Sequence, residues 1–148
     1  MSRLALLLCS VFDSVSDRSR IFEWPIRVYF EDTDSAGIVY YANYLKFMER
    51  ARSEWLRSFG IDVGKLVQSE KALFVVRSIQ VNYQRPARLS DLLTVTVSLK
   101  RIGHASLELW QEVIRRNDTL CSSSLQLACL NADSLRPCRI PKQILEKL

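Results

Sequence analysis

From Trp24 the chain alternates. Trp24, Ile26, Val28 and Phe30 point one way, and Arg27, Tyr29 and Glu31 the other. A period of two predicts a half-buried strand. The period then lengthens: Tyr44, Phe47, Met48, Ala51, Trp55, Leu56 and Phe59 fall at helical spacing, with Lys46, Glu49, Arg50, Ser53, Glu54 and Arg57 between them. This predicts a helix of about 17 residues, roughly 25 Å long. Asn43 is the expected N-cap and Gly60 the C-terminal cap.

After a linking segment, "VGKLVQSEK", four β-like stretches follow: "ALFVVRSIQVNYQRP", "DLLTVTVSLKRIG", "HASLELWQEVIRRND" and "TLCSSSLQLACLN". The second sets Leu93, Val95, Val97 and Leu99 against Thr94, Thr96, Ser98 and Lys100, the signature of a strand with one covered face. "PKQILEKL" reads as a short terminal helix opened by Pro141. A helix with so rich an apolar face must be covered, and a five-stranded antiparallel sheet does so by curling around it. The expected fold class is therefore α+β, one long central helix wrapped by one sheet. Edge strands of such a sheet invite pairing between two copies, so a homodimer is expected, with assembly to a homotetramer as a further step.

The chain has 148 residues and is 48% hydrophobic, which suits one cored domain. We place that domain at residues 23–148, with residues 1–22 a poorly ordered N-terminal extension. The start, "MSRLALLLCSVF", has one arginine ahead of an apolar run of about nine residues, short for a signal peptide and far short of the ~20 needed to span a bilayer. Asp13 also lies just before the position where cleavage would fall. An extension, or a start codon set too far upstream, accounts for these residues better than export.

The net charge of +5 comes from dispersed Lys and Arg with no basic block. It lacks the basic stripe with interleaved aromatics that nucleic-acid binding requires. Cys9, Cys121, Cys129 and Cys138 show no Cys-x-x-Cys spacing, and His104 is the single histidine. No metal site is expected from them. Cys121 and Cys129 share the parity of Leu125 and Leu127, so they read as buried reduced thiols on a strand face, consistent with a cytoplasmic protein.

The chemistry concentrates in "EDTDSAGIVYYANYLKFMERARSEWL", Glu31 to Leu56. On the residues alone, Asp32, Asp34 and Ser35 beside Gly37 are turn and capping chemistry. The order of elements, this motif, "FVVRSIQVNYQRPARLSDLLTV" and "RIPKQI" together resemble the hot-dog fold thioesterases of the 4-hydroxybenzoyl-CoA thioesterase branch. The resemblance is closest to the acyl-CoA thioesterases encoded beside Tol-Pal envelope genes in bacteria, and it runs from about Trp24 to about Ile144. It implies an acyl-CoA thioesterase with no cofactor and Asp34 as the catalytic carboxylate. It also implies that the backbone N–H of Tyr41, at the helix entrance, faces the thioester carbonyl. The Tol-Pal-associated group often has histidine there, "YHANY" against "YYANY" in this chain, so only the backbone role carries over. Arg136, in "LRPCRIP", matches a stretch where the family places a phosphate-contacting arginine.

These residue types suit a thioester. Its leaving thiol has a pKa near ~8.5 by analogy with cysteine, so a strong general acid is dispensable. An attacking oxygen and a place for developing negative charge remain necessary. A helix start offers unpaired N–H groups and roughly half a positive charge. Asp34 can attack the carbonyl itself or take a proton from water. Gly37 allows close approach to substrate and a backbone angle other residues avoid. Tyr40 is a candidate for the acyl pocket, whereas Tyr44 belongs to the core and Asp32 to the loop's own hydrogen bonding. Two alternatives to acyl-CoA hydrolysis stay open: the same reaction on acyl carrier protein, and a non-catalytic acyl-binding module at the envelope.

Overall fold

The computed structural model describes residues 21–148. The expectations for the first twenty residues, Cys9 included, lie outside the described residues. The elements in order are β1 (Phe22–Arg27), a single 3₁₀ turn (Phe30–Asp32), α1 (Asn43–Ser58), α2 (Val63–Glu70), β2 (Ala72–Tyr83), β3 (Leu92–Ile102), β4 (Ser106–Arg115), β5 (Asp118–Asn131) and α3 (Lys142–Leu145). The strands form one antiparallel sheet of five in the order β1-β3-β4-β5-β2. Helix α1 lies across its concave face against β3, β1 and β4. The arrangement is the expected α+β architecture.

The helical stripe is the core. Tyr44, Phe47, Met48, Ala51, Trp55 and Leu56 are buried, facing Leu93, Val95 and Val97 of β3 and Leu107, Leu109 and Val113 of β4. Phe59, at the helix end, is only half-buried. The helix stops where Gly60 takes φ +74°, a left-handed angle that costs a residue with a Cβ. The Gly60 N–H donates to Arg57 O (2.8 Å) and the Ile61 N–H to Leu56 O (3.1 Å), so two terminal carbonyls are satisfied by the reversing chain.

Four local expectations are corrected. Asn43 is not the N-cap: Ala42 holds that position and Asn43 is the first helical residue. Its side chain turns inward, and Nδ2 donates to the carbonyl of Asp32 (2.9 Å). Phe30 does not continue the β1 pattern. It is 82% exposed because the chain leaves the sheet after Val28, whose N–H donates to Asp91 O. The segment read as a linker is α2, nucleated by Asp62, whose Oδ1 accepts from the Lys65 N–H (3.0 Å), and anchored by buried Leu66. Pro141 precedes α3 rather than opening it.

The two sheet edges differ. β1 carries Pro25, which has no N–H to give a ladder and is confined to edges for that reason. β2 is twelve residues long with a register shift between Val76 and Ser78. Val76, Ile79 and Tyr83 of β2 are exposed in the single chain, Tyr83 packing one edge against Tyr44 of α1.

Candidate active site

The loop between β1 and α1 is held by Asp32. This carboxylate is buried, and its Oδ2 accepts from the Tyr29 N–H (2.8 Å). The Asp32 carbonyl accepts from the Tyr40 N–H (2.9 Å) and from Asn43 Nδ2. Asp32 therefore ties the entry of the loop to the start of the helix, the structural part expected of it.

Between these anchors the chain makes a tight hairpin. Thr33 bridges Val39, the Asp34 N–H donates to Ile38 O (2.9 Å), and the Gly37 N–H donates to Asp34 O (3.0 Å). Gly37 closes it at φ +74°, and a Cβ built there meets no atom within 4 Å. The glycine is needed for its angle, and the space in front of it is open. Asp34 sits exposed at the turn. Its Oδ1 accepts from the Ala36 N–H (2.8 Å), which fixes the carboxyl group's orientation and leaves Oδ2 without a protein donor among the described residues.

The helix entrance follows at once. Among the described residues, neither the Tyr41 N–H nor the Ala42 N–H has an acceptor. They are the unpaired donors expected at a helix start, carrying its partial positive charge. The Tyr41 carbonyl is occupied, accepting from the Tyr83 hydroxyl of β2 (3.0 Å). The Tyr41 ring is 61% exposed and packs on Tyr40 (4.8 Å between centroids) and Tyr83 (6.3 Å).

Tyr44 is core, as expected, yet it also has a polar duty. Its hydroxyl accepts from the buried Ala87 N–H (2.9 Å), and the Ala87 carbonyl in turn accepts from the Val39 N–H (2.9 Å). Desolvation pushes the Tyr44 phenol above its usual range, with the Ala87 N–H acting in the opposite sense. Tyr44→Phe is expected to leave that N–H unpaired and to lower stability by about 1–3 kcal/mol. Urea unfolding checks it, and a variant indistinguishable from wild type would sink this account.

Burial opposes ionisation of Asp91, but the Arg88 N–H and the Arg115 guanidinium (2.7 Å) outweigh it and hold the carboxyl below its usual range. Asp91 thus fixes the segment at residues 84–91 that flanks the loop. A cleft of about 280 Å³ lies between loop and segment, lined by Ile38, Val39, Tyr41, Tyr44, Tyr83 and Pro86.

Asp34 and Gly37 thus lie on the hairpin and Tyr40 and Tyr41 at the helix entrance it leads into, with Tyr41 alone of the four lining the cleft, and Arg136 lies elsewhere. It follows β5, beside Asn131, whereas the site adjoins the opposite end of the sheet at Tyr83 and its partner Cys121. Ten residues of strand separate the ends, roughly 33 Å. Gln111 escaped the sequence reading. It is fully buried under α1, accepting from Arg52 (2.9 Å) and donating to the Met48 carbonyl (3.0 Å). Its position in an otherwise alternating strand was the only available signal.

The family model described as the thioesterase superfamily matches residues 36–122, from the turn of the loop through the start of β5. The chain belongs to the thioesterase superfamily. It is 35% identical over 123 residues to the acyl-CoA thioesterase YbgC of Haemophilus influenzae, covering 83% of this chain and 90% of that one. It is 38% identical over 125 residues to the acyl-CoA thioester hydrolase YbgC of Escherichia coli O157:H7, covering 84% and 92%. The crystal structure of a probable thioesterase from Bartonella henselae superposes with a TM-score of 0.79 at 34% identity, over 82% of this chain and 99% of that one. The sheet wrapped on α1 is thus the hot-dog fold of this superfamily, and the resemblance read from the motif is borne out. Among the described residues no helix of this thioesterase is long and apolar enough to cross a membrane.

Proposed function

We propose that this thioesterase hydrolyses acyl-CoA to free acid and CoA, with Asp34 as the reacting carboxylate and the Tyr41 N–H as donor to the thioester oxygen. The observation that carries the reading is an oriented, exposed carboxylate on the hairpin followed, seven residues on, by an unpaired N–H at the helix entrance that the hairpin leads into. The relatives' names supply the substrate class. Asp34 Oδ2 is free either to attack the carbonyl carbon, giving a mixed anhydride and releasing CoA thiolate, or to take a proton from an attacking water. In both routes charge develops on the thioester oxygen, where the N–H and the helix dipole oppose it.

A homodimer completes the site on this reading. Antiparallel pairing of β2 with a second copy of itself sets the Ala72 end of one strand beside the Tyr83 end of the other, and it covers Val76 and Ile79. Asn131 pairs with Ala72, so the partner subunit's Arg136 comes toward the Tyr41 cleft, where it can meet a CoA phosphate. The free thiols Cys121, Cys129 and Cys138 suit a reducing, cytoplasmic setting.

The test follows thiol release from short, long and aromatic acyl-CoAs and from the same acyl groups on acyl carrier protein. At least one acyl-CoA is expected to be turned over with a kcat/KM more than about 10-fold above its carrier-bound counterpart, a difference of ~1.4 kcal/mol. Hydrolysis confined to carrier-bound chains, slowing as salt rises, would assign the protein to the carrier instead. No thiol from any of them would leave an acyl-binding module.

A further inference from the structure

The sulfur chemistry at the far end of the sheet is unused by the reaction above. After β5 the chain turns through residues 132–136 and runs back along the strand. Leu130 bridges Pro137, the Asn131 N–H donates to Arg136 O (2.9 Å), and the Cys138 N–H donates to Cys129 O (2.9 Å). Cys129 and Cys138 are thereby directly opposed on neighbouring antiparallel segments. The Cys129 N–H itself donates to Ala105 O (2.8 Å), so a single bond joins the backbones of the two cysteines. Their Sγ atoms are 3.6 Å apart.

The two thiols are unequal. Cys129 is fully buried, with Sγ also 3.9 Å from the Arg139 carbonyl, whereas Cys138 is half-buried at the surface of the returning segment. Burial pushes the Cys129 thiol up to about 12, and its contact with Cys138 acts in the same sense. Cys138 is thus the sulfur that a reagent meets first, and Cys129 the one held ready beside it. Cys121, eight residues earlier on the same strand face, is buried with no sulfur partner among the described residues.

We propose that Cys129 and Cys138 form a modification site, a dithiol that a peroxide converts into an intramolecular disulfide. In the first step the Cys138 thiolate takes one peroxide oxygen, the O–O bond breaks, and hydroxide leaves to become water. Cys138 is then a sulfenic acid. In the second, the Cys129 sulfur loses its proton and attacks the Cys138 sulfur, the S–O bond breaks, and a second water leaves. Two thiols are oxidised by two electrons in all, and one hydrogen peroxide is reduced to two waters. The bridge closes only the short turn between β5 and its returning segment, so little backbone movement accompanies it.

The full chain is treated with hydrogen peroxide, its remaining thiols are alkylated after unfolding, and the digest is read by mass spectrometry. The expected product links the peptides of Cys129 and Cys138 within one chain, while Cys121 is recovered alkylated. In Cys129→Ser, a sulfenic acid is expected to persist at Cys138 and to be trapped by dimedone. In Cys138→Ser, Cys129 is expected to survive the same exposure as a free thiol. Unfolding temperature, followed on the same wild-type samples, is expected to rise by roughly 5–10 °C on oxidation and to return with dithiothreitol, as a short closed loop predicts. Recovery of both thiols alkylated overturns the proposal. So does a bridge from Cys138 to Cys9, to Cys121 or to a second chain, or a fall in the unfolding temperature of the bridged protein.

Discussion

Asp34→Asn is expected to lower kcat for acyl-CoA hydrolysis by about 10²- to 10⁴-fold, the range spanned by loss of a positioned acid–base group. Asparagine keeps the shape of the side chain and an oxygen that can still accept from the Ala36 N–H, so the hairpin has no reason to change. What disappears is the negative charge, and with it both the nucleophile and the base. The unfolding temperature should therefore stay within a degree or two while turnover collapses. Tyr41→Phe serves as the comparison, because it removes the phenol and leaves the backbone donor. Its kcat is expected within a few-fold of wild type. A rate for Asp34→Asn close to wild type, measured by thiol release, would remove Asp34 from the mechanism. A collapse in Tyr41→Phe would move the chemistry onto the phenol.

The largest stability effect is expected at Phe47. Its side chain is completely buried on the sheet-facing side of α1, edge-on to Tyr44 with ring centroids 6.1 Å apart. Phe47→Ala removes that ring and leaves a void that close-packed neighbours only partly fill, a loss of about 3–5 kcal/mol. Tyr44 holds the Ala87 segment, so the void opens directly behind the wall of the candidate site. Denaturant unfolding at one fixed protein concentration measures it, since association would otherwise shift the midpoint. A loss under about 1 kcal/mol would mean the site collapses without cost, contrary to the packing described.

The features legible in the sequence are those written in hydrophobic period. The stripe from Tyr44 to Leu56 and the alternation through β3 are long and unbroken, so burial dictates them. What failed was decided by single hydrogen bonds. Asn43 has the chemistry of an N-cap, but the Asp32 carbonyl, eleven residues away, recruits it inward. Phe30 fits the β1 alternation and is thrown outward by a turn whose cause, the Asp32 carboxylate capping the Tyr29 N–H three residues back, is a local bond that hydrophobic period does not register. α2 is too short and too diluted by Gly64 to show a period, and its evidence was the cap at Asp62. In the site, the motif located Asp34, Gly37, Tyr40 and Tyr41 together because they are close along the chain. Arg136 and the Cys129–Cys138 contact depend on which strand end lies beside which, and that is topology rather than composition.

The two unlike edges of the sheet also bear on how far assembly can run. A strand bordered on both sides by willing edges would let copies add head to tail without limit, as fibres do. Here β1 carries a proline and β2 does not, so a β1-to-β2 contact between copies meets a missing donor at Pro25. Only β2 on β2 remains, and that contact consumes the open edge of both copies at once. On the proposed dimer, a single imino acid on the far side of the molecule would act as a chain terminator and hold edge pairing to two copies.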